Sequence, residues 1–135
     1  MLDDFIAVSE ILTGVSDLDR TIGARRLDRL TRAGHEFGPI AALYRTMKAD
    51  DASPDAIGQA LLANDALRPA IAQLVLVWYT SALQDASTTP PTMRYGDADD
   101  YFSALGWRVI GAHAPGLSGG YFGHWRYRPD NEPPA

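Results

Sequence analysis

Three histidines, His35, His113 and His124, are the first candidates for metal or acid–base chemistry in this chain. A zinc site on a helix needs a second ligand three or four residues away, and none of the three has a histidine partner at that spacing. The chain has no cysteine, which excludes disulfides, thiol catalysis and iron–sulfur ligation. The sequence therefore predicts hydrogen-bonding histidines and no metal site.

Two pairs of adjacent carboxylates, Asp50–Asp51 and Asp99–Asp100, are the candidates for paired acid and base catalysis. That chemistry needs one carboxyl group buried beside a cleft, so that the two pKa values separate. Both pairs fall at predicted helix ends or loops, where aspartate favours capping and solvent, and no apolar pattern surrounds them. We expect both pairs to be exposed.

The segment GLSGGYFG, residues 116–123, has the glycine content of a phosphate-binding loop. It follows no predicted strand, opens no helix and lacks the P-loop lysine. Its serine also lacks the glycine spacing of a nucleophile elbow. The sequence predicts no catalytic, cofactor-binding or metal-binding residue in this chain.

Aromatic side chains and arginines crowd the stretch SGGYFGHWRYRPD, residues 118–130. These residue types dominate interface hot spots because each buries a large area at modest entropic cost. The predicted partner-binding residues, one of them upstream of this stretch, are Trp107, Tyr121, Phe122, Trp125, Arg126, Tyr127 and Arg128. We expect the rings to supply most of the contact area and the two arginines to pair with carboxylates on a partner.

Two other roles for this arm stay open on composition alone. In one, the arm packs on the protein's own helices, which describes an independent helical binding or regulatory domain. In the other, its rings stack on RNA bases. The net charge of −5, with Asp130 and Glu132 close to the arginines, argues against nucleic acid as a partner.

The elements that must position these residues are helical. Apolar periodicity predicts an all-α fold, a small bundle of five or six helices followed by an extended, aromatic-rich C-terminal arm. Gly14 ends the first predicted helix, Asp17 caps the second, Pro39 opens the third and Ser53 caps the fourth. The fifth, LRPAIAQLVLVWYTSAL, is apolar on nearly every face and should lie at the centre. We assign residues 1–111 to a helical domain and residues 112–135 to the arm, as part of the same domain or complex.

Polar segments frame these helices. The second helix carries arginines opposite its apolar positions, which favours either a solvated, salt-bridged face or a docking stripe; they are Arg20, Arg25, Arg26, Arg29 and Arg32. The segment QDASTTPPTMRYGDAD is a predicted loop because Pro90 and Pro91 bar a helix, and no β pattern is long enough for a sheet. A short helix, DADDYFSALGW, should follow, capped by Asp97 or Asp99.

Composition sets the class of protein. With 135 residues and 46% hydrophobic content, the chain is long enough for one globular domain with a buried core. No apolar run approaches the roughly 20 residues that span a bilayer. The opening MLDDFIAVSE is acidic and amphipathic, unlike a signal peptide.

The blocks LDDFIAVSEILTG and LDRTIGARRLDRL resemble the N-terminal part of the small (gamma) subunit of bacterial FAD-dependent sugar and polyol dehydrogenases. This family includes the small subunit of membrane-bound FAD-containing sorbitol dehydrogenase and the gamma subunit of FAD-dependent glucose dehydrogenase. The segments LVLVWY, YFSALGW and GYFGHW follow in the family's order, so the resemblance spans nearly the whole chain. The matching residues are Leu2, Phe5, Ser9, Glu10, Leu12, Thr13, Gly14, Ile22, Gly23, Trp78, Tyr79, Tyr101, Ala104, Leu105, Trp107, Trp125 and Pro129.

The resemblance implies an accessory role. In such complexes a glucose–methanol–choline-type large subunit holds FAD and oxidises the sugar, and a cytochrome c subunit often takes the electrons onward. The small subunit wraps and stabilises the large one and helps to export it through a twin-arginine signal. The resemblance thus implies a periplasmic or inner-membrane-associated protein; no twin-arginine motif precedes Leu2, so a native start at Met1 implies a cytoplasmic one. Position 81 carries serine where the family commonly has a glycine nearby.

Overall fold

Seven helices and one β-hairpin make up the part of the chain that the structure, a computed structural model, describes: residues 1–112 and residue 114. The elements are α1 (Leu2–Thr13), α2 (Arg20–Arg32), α3 (Gly38–Ala49), α4 (Pro54–Ala63), α5 (Arg68–Thr80), β1 (Ala82–Asp85), β2 (Thr92–Tyr95), α6 (Ala98–Phe102) and α7 (Leu105–Val109). The predicted helical class is confirmed. Apart from residues 112 and 114, the C-terminal arm lies outside the described residues, and the division at residue 111 stays a prediction.

Most helix ends follow the expected signals. Gly14 ends α1 in the left-handed conformation at φ 70°, and its backbone N–H donates to Glu10. The Ser53 hydroxyl accepts from the N–H of Ala56 and caps α4 as predicted. The predicted cap of α2 was wrong by two residues, because the Asp19 carboxylate accepts from Ile22 while Asp17 sits in the linker at φ 58°.

The core is built around α5, as its apolar sequence predicted. Leu74, Val77 and Trp78 on this helix are almost fully buried, and α5 packs against α1, α2, α4, β1 and α7. The Trp78 ring lies 6.3 Å from the ring of Phe5 on α1. Gly23 lets α2 approach closely, because a Cβ at this position would lie 2.4 Å from Ile6 Cδ1 and near the Trp78 ring.

A short antiparallel hairpin replaces the predicted loop. Strands β1 and β2 pair from Ala82 with Tyr95 to Asp85 with Thr92. The turn is organised by the Asp85 carboxylate, which accepts from the backbone N–H of Ser87 at 2.9 Å and from its hydroxyl at 2.5 Å. These hydrogen bonds lower the pKa of Asp85. The loop prediction was therefore wrong for the two strands, and the fifth helix ends at Thr80, three residues earlier than expected.

The predicted short helix after the hairpin is present but broken into α6 and α7. The Asp97 carboxylate caps α6 by accepting from the N–H of Asp100 at 2.9 Å, which is one of the two predicted caps. Ala104 is extended, at φ −62° and ψ 130°, and separates the two helices. The break turns α7 onto the C-terminal end of α5, where it helps to form the groove described below.

Candidate partner-binding site

An open groove lies where α6 and α7 meet the C-terminal end of α5. Its volume is about 290 Å³. No lining residue carries a formal charge; the seven are Tyr79, Thr80, Tyr101, Ala104, Gly106, Trp107 and Ile110. We call it the α5–α7 groove. It contains Trp107, the one predicted partner-binding residue that falls within the described part of the chain.

Close backbone contact holds α7 on α5. Gly106 lies directly over the Tyr79 backbone, and a Cβ at this position would be 2.6 Å from the Tyr79 carbonyl oxygen. A larger residue would have to lift α7, because a backbone atom of a packed helix moves only at a cost. The Tyr79 hydroxyl donates to the Thr13 carbonyl at 2.8 Å, so Tyr79 is also fixed to α1.

Trp107 is half-buried, and its polar atom is used within the chain. The indole Nε1 donates to the Tyr101 carbonyl oxygen at 2.9 Å. The Trp107 and Tyr101 rings pack edge to face with centroids 5.3 Å apart. The ring of Trp107 therefore presents apolar surface to the groove from a defined orientation. Its contact with a partner stays a prediction.

A buried arginine, Arg26, ties α6 and α5 to the second helix. Its side chain is fully buried, and its guanidinium lies 4.2 Å from the centre of the Trp78 ring. It donates to the Ser103 hydroxyl at 3.1 Å and more weakly to the Trp78 carbonyl at 3.4 Å. Burial lowers the pKa of Arg26 to about 10. Neither predicted role of the arginine face, solvated or docking, holds for this residue.

The second buried charge of this region is Asp100. We predicted that the Asp99–Asp100 pair would be exposed; this is right for Asp99 and wrong for Asp100, whose side chain is 4% exposed. The Asp100 carboxylate accepts from Arg29 at 3.0 Å, and Arg25 lies 3.7 Å away. Arg29 also donates to the Ser81 carbonyl at 2.8 Å. The side chains that pair with the buried Asp100 carboxylate are Arg25 and Arg29 of α2, which is distant in sequence. We call Arg26, Arg29 and Asp100 the arginine clasp.

Two exposed apolar side chains lie at the end of α7: Ile110 lines the α5–α7 groove, and Val109 lines a separate pocket beside Gly14, Val15 and Ser16. The side chains of Val109 and Ile110 are each 67% exposed. Gly111 then turns the chain in the left-handed conformation at φ 64°, with its N–H donating to Arg108 and that of Ala112 donating to the Trp107 carbonyl. This pair of hydrogen bonds is a Schellman turn, which reverses the chain beside Trp107.

The other candidate residues lie elsewhere or outside the described part. His35 Nε2 donates to the Gln84 carbonyl at 2.5 Å, which confirms its hydrogen-bonding role. Asp50 and Asp51 are exposed as predicted. His113, His124 and the predicted contact residues of the arm lie outside the described residues; the latter are Tyr121, Phe122, Trp125, Arg126, Tyr127 and Arg128.

Two further searches of the described residues bear on the class of site. No three side chains of histidine, aspartate or glutamate within residues 1–112 come together as metal ligands would. Over the same range, each helix is either too short or too polar to cross a bilayer.

Comparison with known families identifies the chain. A family model described as membrane-bound FAD-containing D-sorbitol dehydrogenase matches residues 1–113. The chain belongs to this family. The match covers every helix and strand of the described structure. A search of curated proteins found no match.

The structure explains three polar residues of the block LDDFIAVSEILTG, which lies within the matched region. The Ser9 hydroxyl accepts from Trp78 Nε1 at 2.9 Å in the centre of the core. The Glu10 carboxylate accepts from the N–H of Leu18 at 3.2 Å, and this bond holds the linker between α1 and α2 against α1. Thr13 donates to the Ser9 carbonyl at 2.7 Å. These side chains of the family block therefore build the fold.

The serine at position 81 also has a backbone explanation. Ser81 ends α5 in the left-handed conformation at φ 59° and ψ 0°. Glycine adopts this conformation without steric cost, whereas residues with a Cβ, such as serine, adopt it less often. Ser81 is 2% exposed, and its carbonyl accepts from Arg29, so the serine is held by the arginine clasp.

Proposed function

We propose that this chain is a non-catalytic small subunit that wraps and stabilises a glucose–methanol–choline-type FAD-dependent sugar or polyol dehydrogenase. The observation that carries the proposal is the match of residues 1–113 to a family described as FAD-containing D-sorbitol dehydrogenase. By resemblance to the small subunits, the chain also helps to export its partner, and a cytochrome c subunit completes some of these complexes. Such a complex would work in the periplasm or at the inner membrane.

The described residues do not fit FAD, and this supports placing FAD in the large subunit. A dinucleotide is normally held at the edge of a parallel sheet, where a glycine-rich turn presents a helix N-terminus to the pyrophosphate. The sheet within the described residues has two antiparallel strands. The α5–α7 groove, at about 290 Å³ and without charged lining, offers no group for a pyrophosphate.

Contact with the large subunit is assigned to the aromatic arm and to Trp107. In this proposal the arm's rings cover apolar surface of the large subunit, and Arg126 and Arg128 pair with its carboxylates. Trp107 extends this contact onto the helical body, because its ring lines an open groove. The arm and the helical domain then act as one binding unit.

The proposal is tested by purifying a tagged copy of the chain from its native cell. We expect a large, yellow, FAD-bearing protein with sugar or polyol dehydrogenase activity to co-purify in a fixed ratio. The tagged chain purified alone, without a flavoprotein at any salt concentration, would contradict the proposal.

The arm's role is tested by Trp125→Ala. A central aromatic anchor contributes about 2 kcal/mol or more, so this variant should bind the large subunit about 30-fold more weakly. Tyr95→Ala is the matched control, because Tyr95 is an aromatic residue of the helical body that is 75% exposed. The measurement is the dissociation constant for the purified large subunit. Equal constants for wild type and Trp125→Ala would remove Trp125 from the interface.

A second candidate, an independent helical binding or regulatory domain, is favoured by one observation. The described residues enclose a core of their own, with Phe5, Leu61 and Val77 fully buried. Expression of the chain without its partner separates the candidates. A subunit should bind a hydrophobic dye while its core is still folded, because the apolar surface that its partner covers is exposed. A self-sufficient domain should bind the dye only once it melts.

A further inference from the structure

We propose that residues 97–112, which hold α6 and α7, form a strap that the arginines of α2 keep closed by charge. The strap opens as one unit while the core of α1–α5 stays folded. We call these residues the α6–α7 strap. The inference concerns the helical body alone and goes beyond the proposed function, because it holds whichever partner the chain binds.

Polar contacts from α2 hold the strap in place. Arg29 donates to the Asp100 carboxylate at 3.0 Å. Arg26 donates to the Ser103 hydroxyl at 3.1 Å. The Arg25 guanidinium lies 3.4 to 3.7 Å from three strap carboxylates, those of Asp97, Asp99 and Asp100. The closed strap therefore neutralises much of the arginine face of α2, and an open strap would return that face to solvent.

Apolar burial contributes less to the strap than to the core. Leu105, at 5% exposed, is the one large apolar side chain of residues 97–112 that is buried, whereas Val109 and Ile110 are each 67% exposed. On α5 alone, four large apolar side chains are buried: Ile71, Leu74, Val77 and Trp78. Opening the strap therefore exposes far less apolar surface than unfolding the core does, so it requires less free energy.

Contacts inside the strap make it one unit. The Tyr101 ring packs edge to face on Phe102 and on Trp107, with ring centres 5.7 and 5.3 Å apart. Trp107 Nε1 donates to the Tyr101 carbonyl, and the Asp97 carboxylate caps α6. Each of these contacts joins two residues of the strap, so each persists when the strap leaves α2 and α5.

Glycines lie near both ends of the strap. Gly96 precedes it, and a Cβ at this position would overlap the Cβ of Asp100 and lie 2.8 Å from Arg29 Nη1, so the clasp closes against a glycine. The Gly96 N–H donates to the Ser81 carbonyl at 3.1 Å, which holds the base of the hairpin when the strap opens. Gly111 is left-handed at φ 64° near the other end. Small residues at the ends of elements commonly absorb the backbone changes of a hinge.

Unsatisfied polar atoms lower the cost of opening. Among the described residues, three buried side-chain atoms of this region have no hydrogen-bond partner: Arg25 Nε, Arg26 Nε and Asp100 Oδ1. A buried polar group without a partner regains hydrogen bonds to water when it is exposed. This gain offsets part of the loss of the ion pairs.

Hydrogen–deuterium exchange of the full-length chain, followed by mass spectrometry of its peptides, tests the strap. In the wild type, peptides within residues 97–112 should exchange faster than peptides of α5. Asp100→Asn removes the buried charge at nearly constant size, so it should speed exchange of the strap about tenfold or more and leave α5 unchanged. Asp28→Asn is the matched control and should leave the strap unchanged, because Asp28 also pairs with an α2 arginine, Arg32, but is 53% exposed.

Salt tests the role of charge without a substitution. The Arg25 side chain is 37% exposed, so sodium chloride should screen its pairs and speed exchange of the strap in the wild type. Peptides of α5 are the internal reference. This series decides the question by itself if Asp100→Asn does not fold.

Two results would overturn the inference. Equal acceleration of α5 and of the strap in Asp100→Asn would mean that the strap opens only when the whole chain unfolds. Strap exchange that neither Asp100→Asn nor salt changes would mean that charge does not hold the strap closed. Both results leave the proposed function standing, because neither measures binding to a large subunit.

Discussion

Replacing the buried Arg26 with methionine tests how charge is accommodated in this core. The arginine is fully buried, stacks on Trp78 and donates to Ser103 and to the Trp78 carbonyl. Methionine retains an unbranched side chain but removes the charge and all five donors. Asp100 keeps Arg25 and Arg29 as neighbours in this variant, so its carboxylate is not left without a cation.

The contributions of Arg26→Met to the free energy of unfolding nearly cancel. Loss of the desolvated stack on Trp78 costs about 2 kcal/mol. Loss of the hydrogen bonds to the Ser103 hydroxyl and to the Trp78 carbonyl costs about 1 kcal/mol each. Against this, burial lowers the pKa of Arg26 from 12.5 to about 10, so its cationic form bears a penalty of about 3 kcal/mol that methionine does not. We expect Arg26→Met to change the free energy of unfolding by no more than about 1 kcal/mol.

Alanine at the same position should behave differently. It loses the same interactions and also leaves the space of the side chain empty, which costs about 2–3 kcal/mol further. The assay is urea unfolding of the isolated chain, followed by circular dichroism and by tryptophan fluorescence. Arg32→Met is the control on the same helix, because Arg32 is 79% exposed and its pair with Asp28 should contribute about 0.5 kcal/mol or less. A loss of more than about 3 kcal/mol in Arg26→Met would refute the reasoning and show that the charge itself stabilises the fold.

Two further substitutions test the groove and the hairpin. Gly106→Ala should destabilise the chain by about 1–3 kcal/mol in urea unfolding, because its Cβ would lie 2.6 Å from the Tyr79 carbonyl oxygen. Gly38→Ala is the control, because a Cβ at that position would have no atom within 4 Å. Equal losses of unfolding free energy in the two variants would contradict the close contact at Gly106. Hydrogen bonds from Ser87 lower the pKa of Asp85 below its ordinary 3.8, so this stabilisation is present above pH 3.8 and is lost as the pH falls through the lower folded pKa. Asp85→Asn should flatten the decline in unfolding free energy below pH 3.8, and an unchanged slope would exclude Asp85 as its source.

Local signals predicted the long helices well. Gly14 and Ser53 end and cap their helices through hydrogen bonds within a few residues, and such bonds leave a readable pattern in the sequence. The hairpin was missed because each strand has only four residues and the exposed β2 shows no alternation. As residue types, Asp17 and Asp19 are equally suited to cap α2. Asp17 adopts a left-handed backbone conformation in the structure, and Asp19 is the cap.

The arginine clasp could not be predicted, because its partners are distant along the chain. Arg26 falls among the arginines of α2 that read as a polar face, yet it is buried by Trp78 and by Ser103, which lie 52 and 77 residues away. Asp100 depends on Arg29 across 71 residues. The period of one helix carries no information about which element will cover its polar face. The aromatic character of Trp107 was visible in the sequence, but the groove required the break at Ala104 and the glycine contact at Gly106.

The hydrogen bond from Trp78 to Ser9 has a consequence for the order of assembly. The two residues are 69 positions apart, so the buried Ser9 hydroxyl can accept this hydrogen bond only after more than half of the chain has been synthesised. Until Trp78 has left the ribosome, only α2, α3 and α4 can cover α1, and the side of Phe5 that packs on Trp78 would stay exposed. Such an intermediate is a natural client for chaperones that hold short apolar helices during translation.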